Sequence, residues 1–405
     1  MPNVFSNITN NLAQLKNYYQ GPIVSQFNDD VPVYRAAEKV KQGWSGQQVV
    51  RPLKVRRNQG IGATSDGGTL PAIGRQNTQQ AIITARFNYL RFGVTGPMIK
   101  ASQSDRGSFV RSAAYELKEG YNDLKNDINR QISFDGSGQL AALTAAAVAS
   151  NTITVQGRED DTNESGDKFL DVGLVIDIVD TSDVLEAQSV TIEAISTSAG
   201  IATLTLSAPV TASDGSFVIR SGSQGNEIQG LLTSLDGGTT SIFNINRATF
   251  PSYQGNVVDR TGNQLTLDSM QQAENEARRR GGGKTSAIWC DFDSQRFYQK
   301  LLTADKRYVN SVKGDGGFGN KGQMYLEWNG SPVVPDKDCP HRIFFLDAST
   351  WKMYVLAEME FADETGSMYI AQTSADQLEV RVRQFCNLFP EKPSGNAVLT
   401  NYISP

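Results

Sequence analysis

The sequence of 405 residues predicts an α+β fold with an inserted small all-β domain, and three patterns support this prediction. Residues 46–95 resemble two long strands around a glycine-rich loop. Residues Ser104–Phe134 have the spacing of one long helix, and residues 151–221 hold five short runs rich in β-branched side chains. Strands and helices in separate groups are typical of the α+β class.

A long hairpin is predicted after an N-terminal arm of residues 1–45, in which Val4–Tyr19 has the pattern of a short helix. The hairpin has a first strand Gln47–Arg57, a loop of residues 58–78 and a second strand Gln79–Thr95. An isolated two-stranded hairpin is marginally stable in water, so we expect a second copy of the chain to cover it. The cations predicted to make this inter-subunit contact are Arg51, Lys54, Arg56, Arg57, Arg75 and Arg86.

The long helix is predicted from apolar residues whose spacing alternates between four and three, from Val110 to Ile128. Such spacing forms a stripe along one helix face. Ser104 is a suitable N-cap, and Asp105 suits the positive end of the helix dipole. We therefore expect one face of this helix to pack on a sheet.

The five short runs of residues 151–221 predict a small barrel or sandwich. Residues 151–215 hold twelve acidic and two basic residues, whereas residues 1–100 hold twelve basic and four acidic residues. Such asymmetry usually marks surfaces that meet partners of opposite sign. Two solvated faces are the alternative interpretation.

The rest of the chain alternates helices and strands. The predicted helices are Leu267–Arg280 and Ser294–Leu302, the second capped by Asp293. The predicted strands are Ser286–Cys290, Met324–Trp328, Pro332–Val334, Arg342–Leu346, Lys352–Leu356, Gly366–Thr373 and Gln377–Leu388.

The composition argues against several classes of protein. A net charge of −5 does not favour a general nucleic-acid binder. Three widely spaced cysteines form neither a disulfide framework nor a zinc motif, which indicates synthesis in a reducing cytoplasm. The first residues lack the pattern of a signal peptide, and the apolar run Ala141–Ala149 is too short to span a bilayer.

No catalytic, metal or cofactor site is predicted. Gly281–Thr285 has Arg278 where a phosphate loop needs glycine, and it ends a helix where that loop should open one. Gly314–Gly319 matches a dinucleotide motif in letters, without the flanking strand and helix. His341 is the single histidine, so histidine-rich zinc sites are excluded. It is predicted to lie in a surface loop.

The order of arm, basic hairpin, long helix and alternating domain resembles the major capsid proteins of tailed bacteriophages, with the Hong Kong 97-type fold. Trp328–Asp336 resembles the family's strand and turn, and Ile343–Asp347 with Thr350–Tyr354 resembles the strand pair that follows. The resemblance implies a shell protein, not an enzyme, that forms hexamers and pentamers of an icosahedral phage head. It implies as partners packaged double-stranded DNA without sequence specificity, a portal, and separate scaffold or cement proteins, with no membrane.

The resemblance also implies a division of the chain and a place for it. The implied parts are an arm 1–45, an E-loop hairpin 46–95, a peripheral domain 96–150 and 361–405 with the long spine helix, an inserted β domain 151–221 and an axial domain 222–360. The implied location is the virion, after assembly in the host cytoplasm. The acidic inserted domain is expected on the outer face, because inside it would repel DNA phosphates.

Two features depart from patterns seen in the family. About 45 residues precede the hairpin, so a scaffolding segment in this chain is not expected. Lys54, the one lysine between 42 and 99, lies in a strand and not at the loop, so covalent cross-linking is not expected. The main alternative is an encapsulin-like nanocompartment, which nucleic acid inside purified particles would distinguish. A secreted β-rich adhesin or tail protein and a hydrolase are weaker alternatives.

Overall fold

The computed structural model describes residues 30–97, 106–158, 164–235, 240–304, 312–313, 324–362, 370–371 and 376–405. The helices in these ranges are α1 Pro32–Ala36, α2 Arg106–Ser133, α3 Leu231–Leu235, α4 Leu267–Gly281 and α5 Phe292–Ala304. The first strands are β1 Glu38–Val40, β2 Trp44–Ser45, β3 Gln48–Arg56, β4 Asn77–Thr84, β5 Arg86–Thr95, β6 Gln139–Leu143, β7 Ala147–Gln156, β8 Val175–Val179, β9 Leu185–Ser198, β10 Ile201–Ala212 and β11 Phe217–Arg220. The later strands are β12 Ser241–Ile242, β13 Ile245–Asn246, β14 Asn256–Gln264, β15 Ala287–Cys290, β16 Val312–Lys313, β17 Met324–Trp328, β18 Ser331–Pro335, β19 Ile343–Leu346, β20 Trp351–Phe361, β21 Ile370–Ala371, β22 Gln377–Pro390 and β23 Ala397–Ile403. The predicted helix Val4–Tyr19 and the predicted caps Ser104 and Asp105 lie outside the described residues.

A five-stranded sheet forms around β22, and the long helix lies against it. β22 pairs antiparallel with β20 and with all ten residues of β5, while β1 joins β20 in parallel. Leu124 and Ile128 of α2 are buried in the same core as Val382 and Leu388 of β22. The predicted long helix is thus confirmed over Arg106–Ser133, and Leu124 and Ile128 in its second half pack against this sheet.

A seven-stranded mixed sheet has the order β14-β23-β19-β15-β18-β17-β16. Successive side chains of a strand point to opposite faces, and β15 and β19 bury side chains on both faces of the sheet. Ile288 and Phe345 join the core beneath α4 and α5, whereas Trp289 and Phe344 join the core shared with α2. This sheet is therefore covered on both faces, which explains the unbroken apolar runs in its central strands.

The two sheets divide the chain differently from the predicted boundary at residue 360. Residues 351–360, predicted with residues 222–360, pair with β22 of the five-stranded sheet. Ala397–Ile403, predicted with residues 361–405, lies between β14 and β19 of the seven-stranded sheet. These pairings join segments far apart in sequence, so local patterns could not indicate them.

Six strands close a barrel in the order β10-β7-β6-β11-β8-β9. It begins at Gln139, earlier than the predicted boundary at Asn151. The missed strand, Gln139–Leu143, is rich in alanine, which is a poor strand signal. Gln139 pairs with Ile219, so the chain enters and leaves the barrel on adjacent strands. Its interior is a separate apolar core that includes Ile176, Ile192 and Leu204.

The predicted hairpin exists, but its second strand is divided. β3 pairs with β4, whereas β5, after the single buried residue Ala85, belongs to the five-stranded sheet. Contrary to expectation, the base of the hairpin has a core in its own chain. Val49 and Ile83 are buried there with Phe243 and Phe389, because residues 240–253 fold against the hairpin.

The hairpin loop differs from its base. Residues 57–76 lie outside any strand, and three large aliphatic side chains there are 85%, 77% and 104% exposed: Ile61, Leu70 and Ile73. The two sides of the loop approach each other closely at Gly60 and Gly74. A Cβ on Gly60 would lie 2.7 Å from the Gly74 nitrogen. The expectation that another copy covers the hairpin stays a prediction for this loop.

Candidate functional site: a basic groove at the base of the hairpin

Four of the six predicted contact residues line one groove. Arg51, Lys54 and Arg56 of β3, and Arg57 directly after it, line a cleft of about 1190 Å³. The opposite wall consists of the end of α4, the segment Ser349–Thr350 and the segment after β22. The hairpin base and the seven-stranded sheet therefore meet at a concave surface.

The opposite wall contributes further cations that the sequence analysis did not assign to this site. Arg278, Arg279 and Arg280 end α4, and Lys392 follows β22. One acid, Glu391, lines the groove beside these basic residues. The run of three arginines was visible in the sequence, but the helix dipole already explained it, and nothing local joins residues 278–280 to residues 51–57.

Arg51 is already paired within the chain. Its Nη2 donates to Glu391 Oε1 at 2.8 Å, and Lys352 Nζ lies 3.7 Å from the same oxygen. The hydrogen bond to Glu391 raises the pKa of Arg51 above its ordinary value. Arg51 therefore fixes β3 to the segment after β22, and its contact with another subunit stays a prediction.

Three arginines in the groove have other partners. Arg278 pairs with Glu274 at 2.6 Å and Arg279 with Glu276 at 2.9 Å. Arg280 donates to the Asn256 side-chain oxygen at 3.1 Å, which is neutral. The last turn of α4 therefore holds two compensated charges and one uncompensated charge.

Five cations of the groove have no carboxylate at ion-pair distance among the residues that the structure describes. They are Lys54, Arg56, Arg57, Arg280 and Lys392, all exposed. Arg56 lies over the Phe250 ring at 6.0 Å, which orients the guanidinium without neutralising it. Like charges gathered in one concave surface repel one another, so the groove is suited to an anionic partner.

The other two predicted contact residues lie elsewhere. Arg75 is exposed on the hairpin loop. Arg86, at the start of β5, donates to the Gly225 carbonyl at 2.9 Å, and burial lowers its pKa. Arg86 thus holds β5 to the segment that leaves the barrel, and its contact with another subunit stays a prediction.

The glycines after α4 have a structural explanation. Thr266 and Ser269 form a capping box at the start of this helix, and Gly282 ends it with φ of 63°. A Cβ on Gly281 would lie 2.2 Å from the Gly395 nitrogen, so two backbone segments touch here. The phosphate-loop interpretation of Gly281–Thr285 stays rejected, because close packing accounts for these residues.

The Gly281→Ala variant is expected to be less stable than wild type by about 1–3 kcal/mol, because the new methyl group overpacks a backbone contact. Gly282→Ala is the matched control. Nothing lies within 4 Å of a Cβ there, so its cost is limited to the left-handed conformation, about 1–2 kcal/mol. Urea unfolding of both chains would measure the difference. A Gly281→Ala chain more stable than Gly282→Ala would contradict the close contact.

His341 is buried, contrary to the predicted surface position. Its Nδ1 lies 3.0 Å from Asp291 Oδ2, and Ser294 contacts the other oxygen of Asp291 and the Tyr402 hydroxyl. Asp291 stands between the serine and the histidine, so His341 cannot take a proton from Ser294. Asp291, not the predicted Asp293, caps α5 by accepting from the Ser294 nitrogen at 3.2 Å. This cluster ties β15, α5 and β23 together.

A buried polar joint links the long helix to the seven-stranded sheet. Asn129 Nδ2 donates to Asp336 at 3.0 Å and to Asp338 at 2.8 Å, while its oxygen accepts from the Tyr34 nitrogen at 3.0 Å. Burial, and then the neighbouring Asp338, raise the pKa of Asp336 to about 7. Two carboxyl groups that share one amide thus link α2 to the segment after β18.

A buried charge network links the same helix to the barrel. Arg130 pairs with Asp127 at 3.1 Å and with Glu227 at 2.5 Å, and Arg220 of β11 lies 3.4 Å from Asp127. Burial opposes ionisation of Asp127, but Arg130 and Arg220 bring its pKa below the ordinary value. The barrel is therefore anchored to the end of α2 by charge.

The remaining features of the described residues suggest no enzymatic centre. Cys290, Cys339 and Cys386 are free and buried, and burial raises the pKa of Cys386 to about 12. Within the described ranges, no three metal-binding side chains cluster. No helix of the described part is both long and apolar enough to cross a membrane.

Comparison with protein-family models and with curated protein sequences finds no match. Comparison of structures finds capsid proteins. The cyanophage A-1(L) capsid asymmetric unit aligns with a TM-score of 0.60 and 13% identity, over 96% of this chain and 97% of that chain. The capsid of the native GTA particle aligns with a TM-score of 0.50 and 9% identity, over 99% and 100%. The SrpI encapsulin of Synechococcus elongatus PCC 7942 aligns with a TM-score of 0.49 and 10% identity, over 98% and 96%.

The chain therefore has the fold of phage capsid proteins. The alignment with the cyanophage A-1(L) capsid protein spans nearly the whole of both chains, so the likeness extends beyond a shared domain. The resemblance to the Hong Kong 97-type fold is confirmed at the level of the fold.

Proposed function

We propose that this chain is a major capsid protein, which assembles as hexamers and pentamers into an icosahedral phage head around double-stranded DNA. The observation that carries the proposal is the nearly full-length match to the cyanophage capsid fold. The location would be the virion, after assembly in the host cytoplasm. A portal, and separate scaffold or cement proteins, would be its partners, and its role would be structural, without catalysis.

The parts of the structure fit this role. The hairpin serves as the E-loop, α2 as the spine helix of a peripheral domain, and the seven-stranded sheet as the core of an axial domain. The closed barrel serves as the inserted domain, on the outer face because of its acidic charge. The exposed side chains Ile61, Leu70 and Ile73 at the hairpin loop suit an apolar contact with another subunit, since exposed apolar groups gain by association.

Contact between subunits would use the groove cations. Lys54, Arg56 and Arg57 remain available for acids of a neighbour, and Arg75 adds a charge on the hairpin loop. A ring of identical subunits repeats each contact, so weak surface pairs of about 0.2–1 kcal/mol become important together.

Electron microscopy of the expressed chain tests the proposed function. We expect closed shells from the wild-type chain with the other assembly proteins of its phage. The Arg56→Glu/Arg57→Glu variant is expected to give fewer shells and to remain folded, because two groove cations become repulsive. Lys118→Glu/Lys284→Glu makes the same charge change at exposed residues outside the groove and is expected to assemble like wild type. A wild-type chain that stays monomeric at high concentration under these conditions would refute the proposed function.

An encapsulin-like compartment remains the second candidate from the sequence analysis. It differs in its contents, because it would enclose protein. Nucleic acid extracted from purified particles of the natural source would support the phage head, whereas particles that hold only protein would support the compartment.

A further inference from the structure

The closed barrel carries a cluster of four carboxylates, opposite in charge to the groove. The turn between β8 and β9 holds Asp180 and Asp183, and the turn between β10 and β11 holds Asp214. The two turns are neighbours: Thr181 Cγ2 lies 3.9 Å from a Cβ placed on Gly215. Glu186 accepts from the Ser213 nitrogen at 3.0 Å, which adds a fourth carboxylate.

Among the residues that the structure describes, no cation lies at ion-pair distance from these carboxylates. Asp183 and Asp214 are exposed. The described part of the barrel has nine acidic residues and three basic residues, and the basic ones pair elsewhere: Arg158 with Asp135, Lys168 with Glu164 and Arg220 with Asp127. The acidic cluster therefore faces solvent uncompensated.

We propose that the basic groove of one subunit receives the acidic cluster of the barrel of a second copy. Among the described residues, no ion pair or hydrogen bond joins the cluster to the groove within one chain. Five uncompensated cations in the groove and four carboxylates in the cluster are complementary in sign and similar in number. This inference rests on the proposed assembly, and it adds Arg280 and Lys392 to the contact.

The observations favour a second copy over nucleic acid as the occupant. The cations lie in a concave cleft between two walls, which suits a protruding turn. A second copy also supplies acid and base in a fixed ratio, because every subunit contributes one cluster and one groove.

A charge exchange on the full chain tests this pairing. The groove variant is Lys54→Glu/Arg280→Glu, and the barrel variant is Asp183→Lys/Asp214→Lys. Each alone is expected to raise the protein concentration needed for assembly about tenfold, because like charges then face each other. The chain with all four substitutions is expected to return to within about threefold of wild type, since the pairs are restored with reversed sign.

The control changes acids of the barrel outside the cluster. Asp171→Lys/Glu193→Lys alters exposed residues with the same change of charge, and it is expected to assemble like wild type. Thermal unfolding of every variant shows that the chain remains folded. Sedimentation velocity measures association between copies even where shells do not close, so the pairing is tested separately from the proposed function.

Two results would overturn the pairing. In the first, the fourfold variant assembles no better than the groove variant. In the second, a short fluorescent DNA duplex binds the wild-type chain and not the groove variant, while association between copies is unchanged, which would assign the groove to phosphates. Failure of shells in the wild type, with the charge exchange still restoring association, would refute the proposed function alone.

Discussion

The Arg130→Met variant is expected to lose about 3–5 kcal/mol of unfolding free energy, because removal of one partner leaves buried charges uncompensated. The Arg130 side chain is 4% exposed and pairs with both Asp127 and Glu227. Methionine retains most of the apolar stem of arginine, so the loss of unfolding free energy reports the removal of the charge. Urea unfolding of the unassembled chain measures this free energy directly.

An exposed arginine with the same helical spacing provides the control. Arg279, 71% exposed, pairs with Glu276 three residues earlier, as Arg130 pairs with Asp127. Arg279→Met is expected to cost no more than about 1 kcal/mol, since exposed pairs contribute little. The triple variant Asp127→Asn/Arg130→Met/Glu227→Gln should recover part of the loss, because it leaves no buried carboxylate alone. Equal stability of Arg130→Met and Arg279→Met would contradict the anchoring role.

The Asp336→Asn variant is expected to be more stable than wild type at pH 8 and close to wild type at pH 4. The pKa of Asp336 is raised to about 7 in the folded chain, whereas an unfolded aspartate titrates near about 3.9. Between these values the folded state binds more protons, so rising pH costs the wild type stability. One pKa unit corresponds to about 1.4 kcal/mol, so the gain at pH 8 is on the order of a few kcal/mol.

The amide of the Asp336→Asn variant preserves the local contacts. Its oxygen can still accept from Asn129 and from the Asp338 nitrogen, which lies 2.9 Å from Asp336 Oδ1. Asp293→Asn is the control, because Asp293 is 56% exposed and its replacement should leave the slope between pH 5 and 8 unchanged. Unfolding free energies at several pH values give the comparison. A constant difference between Asp336→Asn and wild type from pH 4 to 8 would rule out this titration.

Local patterns in the sequence predicted the three longer helices, α2, α4 and α5, and many strands. The spacing from Val110 to Ile128 indicated α2, since a helix needs only its own residues to show its period. The five β-branched runs indicated the strands of the barrel, because each run shows the strand pattern in its own residues. The alanine-rich strand Gln139–Leu143 was missed, because its pairing with β11, not its composition, makes it a strand.

Long-range contacts could not be predicted in this way. Ala85 gives no sign that β4 and β5 belong to different sheets, because the alternation of side chains continues through it. His341 is buried because Phe297 of α5 and Tyr402 of β23, both distant in sequence, pack against its ring. The second wall of the basic groove likewise could not be predicted, because Arg280 and Lys392 lie near the hairpin only in the folded chain.

The single residue between β4 and β5 has a mechanical consequence. Tension applied to the hairpin passes through Ala85 directly into β5, with no slack in between. β5 is held to β22 by ten residue pairs in continuous register, and ladder hydrogen bonds lie perpendicular to their strands. A force along β5 therefore strains many bonds together, in shear, and does not open them one at a time. Strain at the hairpin loop is therefore transmitted through β5 to β22, at the centre of the five-stranded sheet.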